Sequence, residues 1–207
     1  MTGYYAYYTI ALIAFLAAVS PGPDFVVVAK NALAHNRLIA IMTSLGIGAG
    51  IIIHSTYCIL GLAVIISQSL LLFSIIKYLG VSYLIYLGIK NLIAKQNHLS
   101  IVATKKNQFS LKAAFLNGLF TNVLNPKCTL FMLSVFTLVV KPNTPSTIQV
   151  IYGLEIAIIT ALWFVFLSYG LSSKIIKSKI ERVQHIVTKL IGVVLISLGI
   201  TILLESR

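Results

Sequence analysis

Two short segments carry most of the residues that could do chemistry, Ser-Pro-Gly-Pro-Asp at 20–24 and Asn-Pro-Lys at 125–127. Serine and asparagine are favoured N-caps and proline is favoured at the first helical position, so each segment should end one helix and begin another. A helix N-terminus attracts a carboxylate, and Lys127 would add a full positive charge beside it. Asp24 offers an acceptor for an ammonium group. Together the segments suit a zwitterion such as an amino acid.

Within these segments, Ser20 and Asn125 are the expected N-caps, each followed by a proline at the first helical position. Asn122 lies just before the second segment and could bind either a substrate or a neighbouring helix. The structural alternative is that Asp24 and Lys127 pair with each other, or that Asp24 caps its helix. The candidate substrate-binding residues are Ser20, Pro21, Gly22, Pro23, Asp24, Asn122, Asn125, Pro126 and Lys127.

Three ionisable side chains in apolar surroundings are candidates for binding and releasing a proton. Asp24 is the first, Glu155 lies well inside the fifth apolar segment, and His54 titrates near neutrality. A satisfied interior polar group is the alternative interpretation of each. Cys58 and Cys128 form no metal-type or CxxC pattern and are expected to be free thiols, so neither a metal nor another cofactor is predicted.

These residues lie in six apolar segments, most of them near the ~20 residues that span a bilayer. Hydrophobic residues make up 58% of the 207 residues and the mean hydropathy is +0.98, beyond the range of a soluble chain. The sequence therefore predicts an all-α membrane protein with six transmembrane helices, the first and fourth broken near the midplane. The segments are 4–34, 38–66, 70–93, 111–140, 148–171 and 186–204.

An internal similarity suggests that half of the chain is a duplicate of the other half. Leu-Ile-Tyr-Leu-Gly-Ile at 84–89 recurs as Leu-Ile-Ser-Leu-Gly-Ile at 195–200, and the two proline segments are separated by a similar length. A unit with an odd number of spans inserts its second copy upside down. We therefore expect one transporter domain over 1–207, with inverted three-helix repeats at about 1–95 and about 110–207 and a basic cytoplasmic connection at about 94–110.

The net charge of +12 would suggest nucleic acid as the partner of a soluble protein, but its distribution indicates membrane topology instead. Most basic residues flank the first, third and fifth connections, and the positive-inside rule places these in the cytoplasm and both termini outside it. The flanking residues are Lys30, Arg37, Lys90, Lys95, Lys105, Lys106, Lys112, Lys174, Lys177, Lys179, Arg182 and Lys189. Membrane lipids are the expected partners, with no nucleic acid, and a homo-oligomer is left open.

Several motifs occur in the order seen in a known family: Pro-Gly-Pro-Asp at 21–24, Gly-Ile-Gly-Ala-Gly at 46–50 followed by His54, Leu-Gly-Ile at 87–89 and Asn-Pro-Lys at 125–127. With these motifs the chain resembles the LysE/RhtB family of bacterial amino-acid exporters over essentially its whole length. The resemblance implies amino-acid export across the bacterial inner membrane, driven by proton antiport. The Pro-Gly-Pro-Asp form implies neutral or hydroxylated substrates such as threonine or homoserine.

Other functions remain as alternatives to a proton-coupled exporter. Broken helices would equally suit a passive channel for small solutes, and the family also includes exporters of basic amino acids. An enzyme is not expected, because the chain has no HExxH or GxSxG motif and only four acidic residues. Dependence on the proton gradient would separate the exporter from the channel.

Overall fold

The computed structural model describes residues 3–94, 109–171 and 174–205, and in this part of the chain all regular structure is α-helical. The all-α class predicted from the sequence is therefore confirmed. Most of the predicted basic connection at 94–110 lies outside the described residues. The helices are α1 (Gly3–Val19), α2 (Pro23–Ala34), α3 (Arg37–Gln68), α4 (Leu70–Ile93), α5 (Leu111–Val123), α6 (Pro126–Val139), α7 (Ser146–Leu171) and α8 (Lys174–Glu205).

Three helices of the described chain are long and apolar enough to cross a membrane by themselves, over Arg37–Leu62, Leu71–Ile93 and Ser146–Leu171. Two further spans arise if the helices on either side of each proline segment count as one. Helices α1 and α2 are bent by 57°, and helices α5 and α6 by 62°. The sixth predicted segment corresponds to a shorter apolar stretch, Thr188–Thr201, within α8. Both segments in which the sequence predicts a break are thus bent.

The second break begins α6 as predicted. Asn125 is the N-cap, and its side chain accepts a 3.0 Å hydrogen bond from the backbone N–H of Lys127. Pro126 occupies the first helical position, where its fixed φ suits the helix and its missing N–H costs nothing. A local rule therefore suffices to place the start of α6.

The first break begins α2 two residues later than predicted. Gly22 is the N-cap in an extended conformation, without a side-chain cap, and Pro23 is the first helical residue. The prediction that Ser20 caps this helix, with Pro21 after it, is wrong. Both prolines of the segment can occupy the first helical position, and the Ser20 hydroxyl instead donates to Asn91 Oδ1 at 3.2 Å.

Helix α3 packs closely against α5 and α7 because glycines and an alanine line the contacts. A Cβ on Gly46 would overlap the backbone carbonyl of Phe115 in α5, and a Cβ on Gly48 would lie 2.9 Å from the Cβ of Ala161 in α7. A Cβ on Gly50 would lie 2.5 Å from Asn122 Oδ1. The spacing of Gly46 and Gly50 therefore serves close helix packing, as the sequence suggested.

The two copies of the repeated hexapeptide pack against each other. A Cβ on Gly88 of α4 would lie 2.6 Å from Ile196 Cγ1 of α8, and a Cβ on Gly199 would lie 2.5 Å from Ile85 Cγ1. The contact partners move backward along α8 as they move forward along α4, so the two helices are antiparallel. Glycine in each copy lets the partner helix approach.

Ring contacts place three of the connections at one end of the molecule. The Arg37 guanidinium, at the start of α3, lies 4.8 Å from the ring centroid of Tyr169 near the end of α7. The His35 ring stacks on Phe109, which precedes α5, with centroids 4.9 Å apart. Large apolar side chains are exposed along the helices, including Leu71, Leu124 and Phe166, as expected for a surface that contacts lipid.

Candidate functional site at two helix breaks

The structure brings the two proline segments together through the side chain of Lys127. Its ammonium group donates to Ser20 Oγ at 3.1 Å, to the carbonyl of Pro21 at 3.3 Å and to the carbonyl of Ser20 at 3.5 Å. These acceptors lie just beyond the C-terminus of α1, where the negative end of the helix dipole favours a cation. An ammonium group has three N–H donors, and Lys127 has three acceptors in the opposite break.

Asp24, in the first turn of α2, reaches in the other direction, towards the second break. Its carboxylate accepts hydrogen bonds from Asn122 Nδ2 at 2.7 Å, from Cys128 Sγ at 3.3 Å and from Asn125 Nδ2 at 3.4 Å. All three donors are uncharged, and Asp24 is only 8% exposed. Asp24 and Lys127 do not form an ion pair with each other. The carboxylate is thus hydrogen-bonded, but no cation among the described residues contacts it directly.

A cavity lies beside the two breaks. Its polar lining consists of Ser20, Asp24, Asn125, Lys127, Cys128 and Thr160. The rest of the lining is small, aliphatic or aromatic: Ala14, Ala17, Ala18, Gly22, Phe25, Ile51, Phe131, Ile156 and Phe164. A mostly apolar cavity into which a few polar groups converge is the usual form of a small-molecule site.

The predicted residues take different places around this cavity. Five of them line it: Ser20, Gly22, Asp24, Asn125 and Lys127. The three prolines shape the breaks without lining the cavity, and Asn122 lies behind Asp24 and is fully buried. Asn122 therefore holds the carboxylate in place, whereas the residues of the breaks themselves are available to a ligand.

Of the proton candidates, Asp24 lines the cavity and the other two do not. His54 is fully buried, and its Nε2 lies 3.1 Å from the backbone carbonyl of Asn122, while Nδ1 contacts the hydroxyl of Tyr57. A carbonyl only accepts, so Nε2 carries the hydrogen and Nδ1 accepts from Tyr57 when the ring is neutral. Glu155 is half-buried, and its Oε2 has no hydrogen-bond partner among the described residues.

Helix α4 supports both breaks from the side, which the sequence did not indicate. The buried Asn91 accepts the hydrogen bond of Ser20 Oγ, and the hydroxyl of Tyr83 donates to the backbone carbonyl of Lys127 at 3.4 Å. Neither residue belongs to a recognisable motif. Cys128, by contrast, directly follows Asn-Pro-Lys, so its position next to the motif was a usable signal.

Comparison with known proteins identifies the family of this chain. The family model for LysE type translocators matches residues 15–206, a range that includes both breaks and all eight helices at least in part. The chain belongs to the LysE type translocator family. This confirms the resemblance seen in the sequence and makes the protein a multi-pass membrane translocator, which is consistent with the expectation that it is not an enzyme.

Several curated relatives share much of the length of this LysE type translocator. An uncharacterised membrane protein of Bacillus subtilis (strain 168) is 32% identical over 197 residues, which cover 91% of this chain and 93% of the relative. The threonine efflux protein of Escherichia coli (strain K12) is 34% identical over 160 residues, 75% of this chain and 77% of the relative. The threonine efflux protein of Salmonella typhi is 31% identical over 167 residues, which cover 76% of this chain and 78% of the relative. No solved structure matches significantly.

Proposed function

We propose that this translocator exports an amino acid across the bacterial inner membrane by proton-coupled antiport, with neutral or hydroxylated amino acids as substrates. The observation that carries the proposal is that Lys127 and Asp24 line one cavity at the meeting point of two helix breaks, without pairing with each other. In a mostly apolar cavity, a zwitterion needs one cationic and one anionic partner. The relatives that are named threonine efflux proteins support the substrate class.

In the proposed complex, the substrate carboxylate binds at Lys127 and the N-terminus of α6, and the substrate ammonium binds at Asp24. The Lys127 ammonium already contacts three oxygens, of which the Ser20 carbonyl at 3.5 Å is the most distant. The substrate carboxylate would replace this long contact. At Asp24 the ammonium supplies the cation that the carboxylate lacks.

Coupling to protons follows if a proton and the substrate ammonium compete for Asp24. A carboxylate that holds a proton has lost the charge that attracts the ammonium, so protonation releases the substrate and substrate binding releases the proton. Asp24 is favoured for this role because it alone of the three candidates lines the cavity. His54 and Glu155 are the alternative proton sites. Because neither lines the cavity, each would have to affect substrate binding through other residues.

The proposed architecture is six spans in two inverted repeats, with both termini outside the cytoplasm. The antiparallel packing of α4 against α8 supports it, because a three-span repeat relates these helices by inversion. The contacts that gather the first, third and fifth connections at one end support a single basic face towards the cytoplasm. Repeat boundaries at about 1–95 and about 110–207 belong to the same proposal.

Two alternatives share much of this evidence. A passive channel would use the same breaks but would not need an ionisable residue in the cavity. An exporter of basic amino acids would have to place a second cation against the apolar wall formed by Phe25, Ile156 and Phe164, which is unfavourable. The cavity lining therefore favours a neutral substrate.

Transport by inside-out membrane vesicles tests the function. With an acidic interior, we expect labelled threonine to accumulate above its external concentration, and a protonophore to abolish that accumulation. Equal equilibration with and without the gradient would indicate the passive channel, and accumulation of lysine in place of threonine would indicate the basic-substrate exporter. Empty-vector vesicles provide the background rate.

A further inference from the structure

Thr160 differs from the other hydroxyl residues inside the helices of this protein. A helical serine or threonine usually donates to the carbonyl four residues earlier. Thr43 does so to Ile39, Thr56 to Ile52 and Thr201 to Ser197. Most other helix-interior hydroxyls with described side chains follow the same pattern.

The Thr160 hydroxyl has no hydrogen-bond partner among the residues that the structure describes, although the residue is only 6% exposed. A hydroxyl without a partner in the protein must bond to water or to a ligand, because leaving it unpaired is unfavourable. The missing partner is therefore expected to come from outside the chain. The cavity is the place from which it can come, because Thr160 lines it.

The surroundings of Thr160 indicate which part of a ligand it would meet. Ile156 and Phe164, one helical turn before and after it, line the same cavity and are almost fully buried. The Thr160 hydroxyl is thus the polar group on an otherwise apolar wall contributed by α7. The charged groups that suit a zwitterion are on other helices, Asp24 on α2 and Lys127 on α6.

We propose that Thr160 is a specificity residue that binds the side-chain hydroxyl of the exported amino acid. The inference rests on the proposed function of amino-acid export. With the zwitterion held at the breaks, the substrate side chain lies towards α7, where a hydroxyl finds a partner and an aliphatic group finds Ile156 and Phe164. A site built to hydrogen-bond a substrate hydroxyl discriminates strongly against an analogue that lacks it.

The discrimination depends on what replaces a water that Thr160 can bind in the empty cavity. Water can pair with Thr160 in the empty cavity, and a substrate hydroxyl replaces that hydrogen bond when it displaces the water. Valine has the same shape as threonine, but it would displace the water without replacing the bond. Valine should therefore be a poorer substrate than threonine for a reason that is independent of size.

Thr160→Val tests this, because it removes the hydroxyl and keeps the branched shape of the side chain. In acid-loaded inside-out vesicles, we expect the wild type to accumulate threonine about tenfold faster than valine at equal low concentration. Thr160→Val should lower that ratio about tenfold, through slower threonine transport and valine transport that is equal to or faster than that of the wild type. Thr160→Ser, which keeps the hydroxyl, should retain most of the preference.

Thr56→Val is the matched control, because Thr56 is exposed on α3 and its hydroxyl pairs with Ile52. It should leave the ratio unchanged. If Thr160→Val does not insert, Thr160→Ala provides the same comparison. A threonine-to-valine ratio that is unchanged in the Thr160 variants, or equal loss of both substrates, overturns the assignment. If the wild type accumulates no amino acid under any gradient, the proposed function fails, and this outcome is distinct from an unchanged ratio.

Discussion

The side-chain amide of Asn122 donates a 2.7 Å hydrogen bond to the carboxylate of Asp24, across 98 residues of sequence. The backbone carbonyl of the same asparagine accepts from the buried ring of His54, and its side chain lies against Gly50. Two residues of α3, His54 and Gly50, thus position Asn122, and Asn122 positions the Asp24 carboxylate. Residues of α3 that do not contact Asp24 can therefore control the position of the Asp24 carboxylate.

Gly50→Ala should impair transport through this chain of contacts. The new Cβ would lie 2.5 Å from Asn122 Oδ1 and 2.9 Å from Asn122 Cβ, so the asparagine must move and its hydrogen bond to Asp24 must weaken. We expect the initial rate of threonine export to fall about tenfold, with insertion retained. The measurement is vesicle transport, normalised to the amount of protein in the membrane.

Gly61→Ala is the control for that variant, because a Cβ there meets nothing within 4 Å. Gly61 lies in the same helix, and alanine is the better helix former, so export by this variant should match the wild type. Equal activity of Gly50→Ala and Gly61→Ala would contradict the view that α3 positions Asn122.

His54→Gln should retain export, whereas His54→Ala should reduce it about tenfold. Glutamine can still donate an N–H to the carbonyl of Asn122, but alanine leaves that buried carbonyl without its partner. Glutamine does not titrate. If His54 were the proton site, gradient-driven accumulation would be lost in both variants alike, and parallel measurement of the two in vesicles decides between positioning and proton transfer.

The elements of the fold and both breaks were predictable from the sequence because their signals are local. Long apolar segments show where helices run, and Asn-Pro is sufficient to place the start of α6 at Pro126. Ser-Pro-Gly-Pro offers two equivalent starting points for α2. The helix starts at Pro23, and Ser20, which lies outside it, bonds to Asn91 of α4. No local pattern contains that tertiary contact.

The site was predictable only in part, for the same reason. Charged residues within apolar segments stand out in a sequence, so Asp24 and Lys127 could be selected before their helices were placed. Thr160 and Asn91 resemble any other polar residue of a membrane helix. Their importance comes from what surrounds them, a cavity in one case and an opposite break in the other.

Lys127→Ala should abolish export while the protein still inserts. The variant removes the proposed partner of the substrate carboxylate, together with the ammonium that links α6 to Ser20 and Pro21. We expect at least a hundredfold loss, on the order of two uniquely placed charge-assisted hydrogen bonds. Lys127→Arg should restore only part of the activity, because a planar guanidinium does not occupy the place of a compact ammonium.

Lys141→Ala is the matched control for charge, since Lys141 is exposed beyond the end of α6. It should transport normally. Normal export by Lys127→Ala would instead show that the lysine only joins the breaks, and that the substrate carboxylate binds elsewhere.

Topology can be checked with single cysteines in a background that lacks Cys58 and Cys128. Asn143 lies in the exposed connection between α6 and α7, which the basic residues assign to the outside. A cysteine there should react with a membrane-impermeant maleimide in intact cells. A cysteine in place of Ser100, in the basic connection, should react only after the membrane is permeabilised. The opposite pattern would reverse the assigned orientation of both breaks.

Asp24→Asn should separate substrate exchange from its coupling to protons. Asparagine keeps the size of the side chain and one oxygen that can accept from Asn122, but it neither titrates nor carries a charge. We expect accumulation driven by a pH gradient to be lost, while slow exchange of labelled for unlabelled threonine persists.

Glu155→Gln is the comparison, because Glu155 is the other carboxylate in an apolar helix and its Oε2 has no partner among the described residues. Since Glu155 does not line the cavity, its variant should keep gradient-driven accumulation. Full accumulation by Asp24→Asn together with loss in Glu155→Gln would move the proton site to α7 and leave Asp24 with a role in binding or structure alone.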